Sequence, residues 1–492
     1  MISPANPSPT ASARPAPAPA QTLRAVIELP NGADLRDLWA RPAGPARITE
    51  AVQRMRDASA NSLTQQWPRF ERRLPAGVSA RIVEQLWINN SLVVDFDMAA
   101  TAEGSTPPEQ GTAREQLQAV IGWQNLLALV AAPAELPKMP PTAPGRPNPP
   151  PRPWNLERLG APAAWAAGHR GAGVTVGVID SGTRVDHPEI AAAYRGRLAD
   201  GSLDHTGSYY DPRLATPTPG QPVPKPGAAP RMTIGHGSAI TALAVGAHVG
   251  VAPDARFIAS VQWGTTPGLS PAQQEQADRI DTLRSIQWMT APVGADGTPN
   301  PAAAPQIVND SWHEANGAAQ ATDRYLDTAL RNVAAAGIVH VVAAGNTGGA
   351  GWLSYPADLD AVIGVGGVDE HDKPVPGLGN GPSRATDLTK PDVAAPETNL
   401  TSIRAGGGYQ TDQHGGTSST TPQISGVLAI VDGALLAHKK APVDVREARF
   451  VLEQLARDVH TPGPDNATGF GVPDLRRLDT ALAALEQRRS GN

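Results

Sequence analysis

With 492 residues, 40% of them hydrophobic, and a formal net charge of −6, the chain has room for about two to four domains. That charge is too mild to point to nucleic acid or an anionic membrane as a partner. The absence of cysteine excludes disulfides, thiolate catalysis and zinc–thiolate sites.

Residues 1–22 are rich in Pro, Ala and Ser and are expected to be disordered. The first twenty lack the apolar stretch of a secretory leader, and no run of 18 apolar residues predicts a membrane span. From Leu23 the pattern changes. LRAVIEL reads as a strand, and Ile48, Val52 and Met55 recur at helical spacing in a helix that continues past Leu63. RIVEQLWI and SLVVDFD, joined through Asn89-Asn90, read as a strand pair. A short helix over 113–122 and a strand over 126–131 complete a β-α-β-β-α-β order, the ferredoxin-like split motif, for a small α+β domain at 23–135. Residues 136–153 are too proline-dense for a helix or sheet interior and predict an exposed linker.

Residues 154–485 alternate apolar strands (VTVGVID, PQIVNDS, HVVAAGN, AVIGVGGV) with helical segments such as GHGSAITALAV. Apolar runs without alternation suit parallel strands buried on both faces, so this region predicts a large α/β domain, a mainly parallel sheet flanked by helices. Seven prolines in 212–230 predict a surface loop, and 486–492 reads as a polar tail.

Three segments carry chemistry. Asp180 ends a buried strand, the edge of an open parallel sheet where ligands and catalytic groups gather. His236 stands between two glycines at the start of a small-residue helix. Ser418 follows Gly-Gly-Thr just before a helix, whose free N–H groups and dipole favour a developing oxyanion. Pro422 fits the first turns of that helix. Taken singly, each residue has a plain structural reading: a capping Asp, a core His, an N-cap Ser. Asn346, after Ala-Ala-Gly, would singly be a turn residue.

Together, in the chain order Asp…His…Ser, these segments resemble the signature segments of the subtilisin-like serine peptidases. IDSG with His-Pro six residues beyond the Ser, GHGS, AAGN and GTSxxxP carry the likeness, with YPA at 355–357, GVGGVD at 364–369 and DVAAPE at 392–397 as connecting segments. The resemblance implies a subtilisin-like fold over 154–485 and a serine endopeptidase. It implies a triad of Asp180, His236 and Ser418, with Asn346 donating to the oxyanion. It also implies an extended peptide substrate flanked by Ser311, Trp312 and His313 on one side and by Ala343, Ala344 and Gly345 on the other.

The sequence departs from the family in three places. His313 stands where a glycine usually leaves the groove open, so it or Trp312 narrows a subsite. Ser419-Thr420-Thr421 replaces the commoner Met-Ala-Ala and is expected to satisfy local backbone groups. The path from His236 to Val251 is too short for the family's calcium loop, and Glu189 reads as a solvated carboxylate. No cofactor is therefore expected, although Asp204 and Asp211 offer ligands for a different cation.

Residues 23–135 resemble the propeptides of this family, which chaperone folding and then inhibit. The linker is then a cleavable strap, cut between Ala131 and Met139, after which the unit dissociates or is digested; the alternative is an adaptor domain that stays attached. The expectation is a monomer acting on polypeptides, with no nucleic acid or membrane partner. The family implies secretion, without a recognisable leader. An inactive binding module is disfavoured by the intact residue set, and an acid-active Ser–Glu–Asp site by His236 and Asn346. A peptide-maturing transamidase uses the same triad.

Overall fold

A computed structural model describes residues 21–74, 78–98, 126–131, 153–213, 229–232, 234–263, 271–314, 324–346, 353–404 and 406–491. Strands β1 (Gln21–Glu28), β2 (Val78–Leu86), β3 (Ser91–Met98) and β4 (Leu126–Ala131) form a sheet of order β2-β3-β1-β4, with α1 (Pro45–Glu71) between β1 and β2. The described pairs are antiparallel, as the split motif requires. The helix expected at 113–122 and nearly all of the linker lie outside the described residues. Asn90, at φ 57°, reverses the chain between β2 and β3, and its amide donates to the carbonyls of Leu29 and Pro30.

Strand alternation sorts this sheet into two faces. Ala25, Ile27, Val94 and Phe96 pack beneath Leu63, Trp67 and Phe70 of α1. Val26 and Val93 point the other way and join the core of the large domain.

That domain is built on seven parallel strands in the order β11-β10-β9-β8-β5-β7-β6. They are β5 (Thr175–Asp180), β6 (Tyr209–Tyr210), β7 (Arg256–Val261), β8 (Ile307–Asp310), β9 (Val339–Ala343), β10 (Ile363–Val368) and β11 (Val393–Pro396). Every residue of β8, β9 and β10 is buried, which is why these runs show no alternation. Two short helices, α2 (Trp154–Arg158) and α3 (Ala161–Ala166), lead in. Then come α4 (His236–Val245), α5 (Pro271–Thr290), α6 (Asp327–Ala336), α7 (Thr417–Ala437), α8 (Val445–Leu455) and α9 (Leu478–Gly491). Helix α7 is long and apolar enough to cross a bilayer by length and composition, but it is the central core helix and is mostly buried in the fold.

The C-terminal tail expectation is corrected. Residues 486–491 are the last turns of α9, where Arg489 pairs with Glu447 at 2.7 Å and donates to the carbonyls of Ala441 and Pro442. Gln487, Arg488, Ser490 and Gly491 are exposed, while Arg489 docks this end of the helix.

The small domain docks on α5 and α6. Glu84 of β2 pairs with Arg284 of α5 at 2.7 Å, and Arg284 also meets Asp281 at 3.3 Å. Gln287 accepts from the Ile88 N–H, Asn332 donates to the Ile88 carbonyl, and Thr328 donates to Glu28.

Candidate active site

Parallel strands share one carboxyl edge, and four functional segments meet there. Asp180 is the last residue of β5 and is fully buried. Its carboxylate accepts from the Ser181 N–H at 2.6 Å and from His236 Nδ1 at 2.9 and 3.0 Å. A carboxylate only accepts, so Nδ1 carries the proton and Nε2 is left with the lone pair a base needs. Gly237 makes this contact possible: a Cβ there would lie 2.3 Å from the Gly182 carbonyl oxygen and 3.0 Å from Asp180 Oδ1. Burial disfavours the imidazolium, but Asp180 favours it more strongly, and the His236 pKa is raised above its ordinary value. Trp263 lies over the imidazole, with ring centroids 5.4 Å apart and planes at 58°. Nothing in the sequence pattern pointed to this tryptophan.

Ser418 is the second residue of α7. Gly416, at φ 66°, caps the helix, and a Cβ there would strike the Asn346 amide at 2.7 Å. The Thr417 N–H (2.8 Å) and Thr417 Oγ1 (3.0 Å) both donate to Asn346 Oδ1. A backbone N–H can only donate, so the amide orientation is fixed, with Nδ2 the atom nearest Gly416, 2.7 Å from where a Cβ would stand. Asn346 is exposed, at the end of the AAGN segment.

Pro422 stands in the early turns of α7, but at a position where its missing N–H leaves a carbonyl without its helical donor. It is the sixth residue of α7, past the first turn, and the carbonyl is that of Ser418. Ser311 Oγ supplies that donor at 2.9 Å. Ser311 is positioned in turn by Asn309 Nδ2 at 2.9 Å, and Asn309 Oδ1 accepts from Ser425 Oγ at 3.0 Å. The Ser418 hydroxyl donates to the Ser311 carbonyl at 2.9 Å, so donating to His236 requires it to turn away from that carbonyl. Ser419 Oγ donates to the Gly415 carbonyl, and Thr420 and Thr421 donate to that of Thr417. These hydroxyls serve the backbone, as the sequence suggested.

The two flanking segments are less open than expected. Ser311, Trp312, Ala343 and Ala344 are buried. The Ala344 N–H bonds the Val365 carbonyl, and its own carbonyl accepts from Ser354. The Gly345 N–H donates to Thr417 Oγ1, and its carbonyl accepts from Gly379. His313 keeps exposed surface. Its Nδ1 donates to the Glu314 carbonyl at 3.1 Å, and burial lowers its pKa below the ordinary histidine value. Its ring stands 3.7 Å from where a Gly345 Cβ would be, and Ser354 Oγ fills the rest of that space at 1.9 Å.

Glu189 is not the solvated carboxylate the sequence suggested. It is buried and accepts from the N–H groups of His248 (2.6 Å) and Val249 (2.8 Å), from His248 Nδ1 (2.9 Å) and from the Tyr409 hydroxyl (2.6 Å). Four donors occupy its lone pairs, so it does not fit the role of a calcium ligand. Asp211 pairs with Arg231 at 2.7 Å, and Asp204 accepts from the Thr206 N–H. Among the described residues no three His, Asp or Glu side chains gather as a metal site.

A sequence model of the subtilase family matches residues 171–471. Bacillopeptidase F of Bacillus subtilis is 30% identical over 336 residues, 65% of this chain and 21% of that protein. The minor extracellular protease Epr of the same species is 25% identical over 343 residues, 68% of this chain and 43% of that one. Subtilisin Savinase of Lederbergia lenta is 26% identical over 286 residues, 57% of this chain and 83% of that protein. The chain thus spans a fifth to under half of the first two relatives and most of the third.

Proposed function

The chain belongs to the subtilase family, and we propose that it is a serine endopeptidase whose triad is Asp180, His236 and Ser418. The observation that carries this reading is the Asp180–His236 pair at 2.9 Å on the same sheet edge as Ser418. The Ser418 hydroxyl rotates from the Ser311 carbonyl toward His236, and Nε2 takes its proton as Oγ attacks the scissile carbonyl carbon. Asp180 holds the tautomer and stabilises the imidazolium. Asn346 Nδ2, with the Ser418 N–H at the start of α7, donates to the oxyanion. His236 then returns the proton to the departing amine as the C–N bond breaks, and water deacylates the enzyme by the reverse sequence. The Nδ1-protonated His236, the fixed Asn346 amide and the family membership support these roles.

The N-terminal domain is, on this reading, an intramolecular inhibitor. Its helix-free face lies against α5 and α6, and this docking supports the reading. Tethering gives the segment after β4 roughly millimolar effective concentration, enough for a product-like contact to block the site.

The test is hydrolysis of a chromogenic peptide by the full chain and by Ser418→Ala. Loss of turnover in the variant, with the fold retained by circular dichroism, supports the assignment. Near-normal turnover removes it.

A further inference from the structure

We propose that Glu397 is a positioning residue of the peptidase site: its buried carboxylate fixes the start of α7 and so aims the oxyanion donors. This rests on the serine peptidase reading above. Glu397 follows β11 and leads into β12 (Thr398–Ile403), which pairs antiparallel with β13 (Tyr409–His414). It is 1% exposed. Taking a carboxylate out of water is costly unless it is hydrogen-bonded, so it needs donors here. Its Oε1 accepts from the Gly416 N–H at 2.7 Å, and its Oε2 lies 3.3 Å from Nδ1 of His414, whose ring is exposed.

The N–H groups at the start of α7 are shared out among separate acceptors. Gly416 donates to Glu397, Thr417 to Asn346 Oδ1 at 2.8 Å, and Ser419 to the Gly416 carbonyl at 3.0 Å. Among the described residues the Ser418 N–H meets no acceptor, which keeps it for a developing oxyanion. That division depends on the shape of Gly415-Gly416. Two successive glycines have access to many backbone conformations, and Gly416 stands at φ 66°.

The segments on either side of this turn are fastened. Ser402 Oγ donates to the Ala239 carbonyl at 2.7 Å, tying the β12–β13 hairpin to α4, and Gln423 Nε2 of α7 donates to the Pro396 carbonyl at 2.7 Å. Glu397 acts on the turn itself. Its own N–H donates to the Val368 carbonyl at 2.8 Å, and Gly367 makes room for it: a Cβ there would stand 3.1 Å from the Glu397 Cβ. The carboxylate thus links a rigid strand of the central sheet to the turn before the nucleophile. Glu397 touches no reacting atom. It works through Gly416, against which the Asn346 amide packs. Without that bond the turn is free to swing, and the Ser418 N–H and Asn346 lose their shared alignment. The loss falls on the transition state, so kcat should drop while KM holds.

The test is steady-state hydrolysis of a chromogenic peptide by the full chain and its variants, beside Ser418→Ala. Glu397→Asp keeps the charge but is one carbon short of Gly416. It should lower kcat roughly 10- to 100-fold with KM nearly unchanged, since a misplacement of about 1 Å can cost 10²-fold. Glu397→Gln keeps the reach, and its carbonyl oxygen accepts the same N–H, so it should restore kcat to within about threefold of the unaltered chain. Glu397→Asp combined with Asn346→Ala should cost less than the product of the two single losses, because both act on one oxyanion contact. The proposal is overturned by an unchanged kcat in Glu397→Asp, by a loss confined to KM, by Glu397→Gln no better than Glu397→Asp, or by a double variant that loses the full product. If Glu397→Asp does not fold, His414→Glu sets a like charge against the carboxylate from an exposed position and should lower kcat several-fold. Unchanged kcat in that variant would overturn the proposal equally. Ser418→Ala separates the two readings. If it still hydrolyses the peptide, the peptidase reading falls and this inference with it; if it is inert while Glu397→Asp is fully active, this inference falls alone.

Discussion

The two edges of the seven-stranded sheet use buried polar groups in opposite ways. At the amino edge Arg47 spends its donors on the Ala335 and Arg41 carbonyls and Asp444, with Trp39 stacked beside it. At the carboxyl edge the groups are left with a valence in hand: His236 keeps the Nε2 lone pair, and Asn346 keeps its NH2 while Thr417 holds its oxygen. Saturated polar groups hold surfaces together, and half-satisfied ones held rigidly are what a reaction can use.

Substitutions should therefore separate the edges by what they change. Ser418→Ala or His236→Ala should each lower kcat by about 10⁶-fold, and the double variant by little more, because the residues act as a unit. Additive losses in steady-state kinetics would break the comparison at the carboxyl edge. Asn346→Ala should lower kcat about 10²–10³-fold with little change in KM, since its bond forms only as charge develops. A large rise in KM at constant kcat would make it a substrate-binding residue instead.

At the amino edge, Arg47→Met should leave the kcat of the cut enzyme within about twofold and cost about 3–5 kcal/mol in urea unfolding, because Asp444 loses a buried partner. Between the edges in effect stands His313, whose ring closes on Gly345. His313→Gly should raise kcat/KM for peptides with a large side chain before the scissile bond by roughly tenfold relative to alanine. An unchanged ratio would show that the ring does not border the substrate.

The smallest effect is in pH dependence. Asp180 raises the His236 pKa, so the proton is retained to higher pH and the free base appears later. Activity should then rise with pH through a midpoint above the ordinary histidine value of ~6.5. Asp180→Asn should move any residual midpoint downward, and a midpoint below ~6.5 in the unaltered enzyme would contradict the pairing.

Much of the carboxyl edge was legible in the sequence because its residues sit in short, ordered segments whose glycines report close approaches. Gly237 and Gly416 are required by Asp180 and Asn346 respectively. The strands were legible for a related reason, since β8, β9 and β10 are buried on both faces and their apolar runs are unbroken. What escaped depends on contacts between segments far apart in the chain. Trp263 over His236, the Ser425–Asn309–Ser311–Ser418 series and the Arg47–Asp444 pair each join residues with no shared local pattern. Glu189 was misjudged for the same reason, because its donors come from the turn after α4 and from Tyr409. The end of α9 was misjudged because composition there is polar while Arg489 is fastened to Glu447.

The central claim is that Ser418 is a nucleophile activated by His236 on the carboxyl edge. Mapping covalent modification by a fluorophosphonate probe tests it most directly. After proteolytic digestion, mass spectrometry should find the adduct on Ser418, formed at a rate that rises with pH as His236 loses its proton and lost in His236→Ala. Labelling of another serine, or equal labelling of Ser418 with and without His236, would contradict the account.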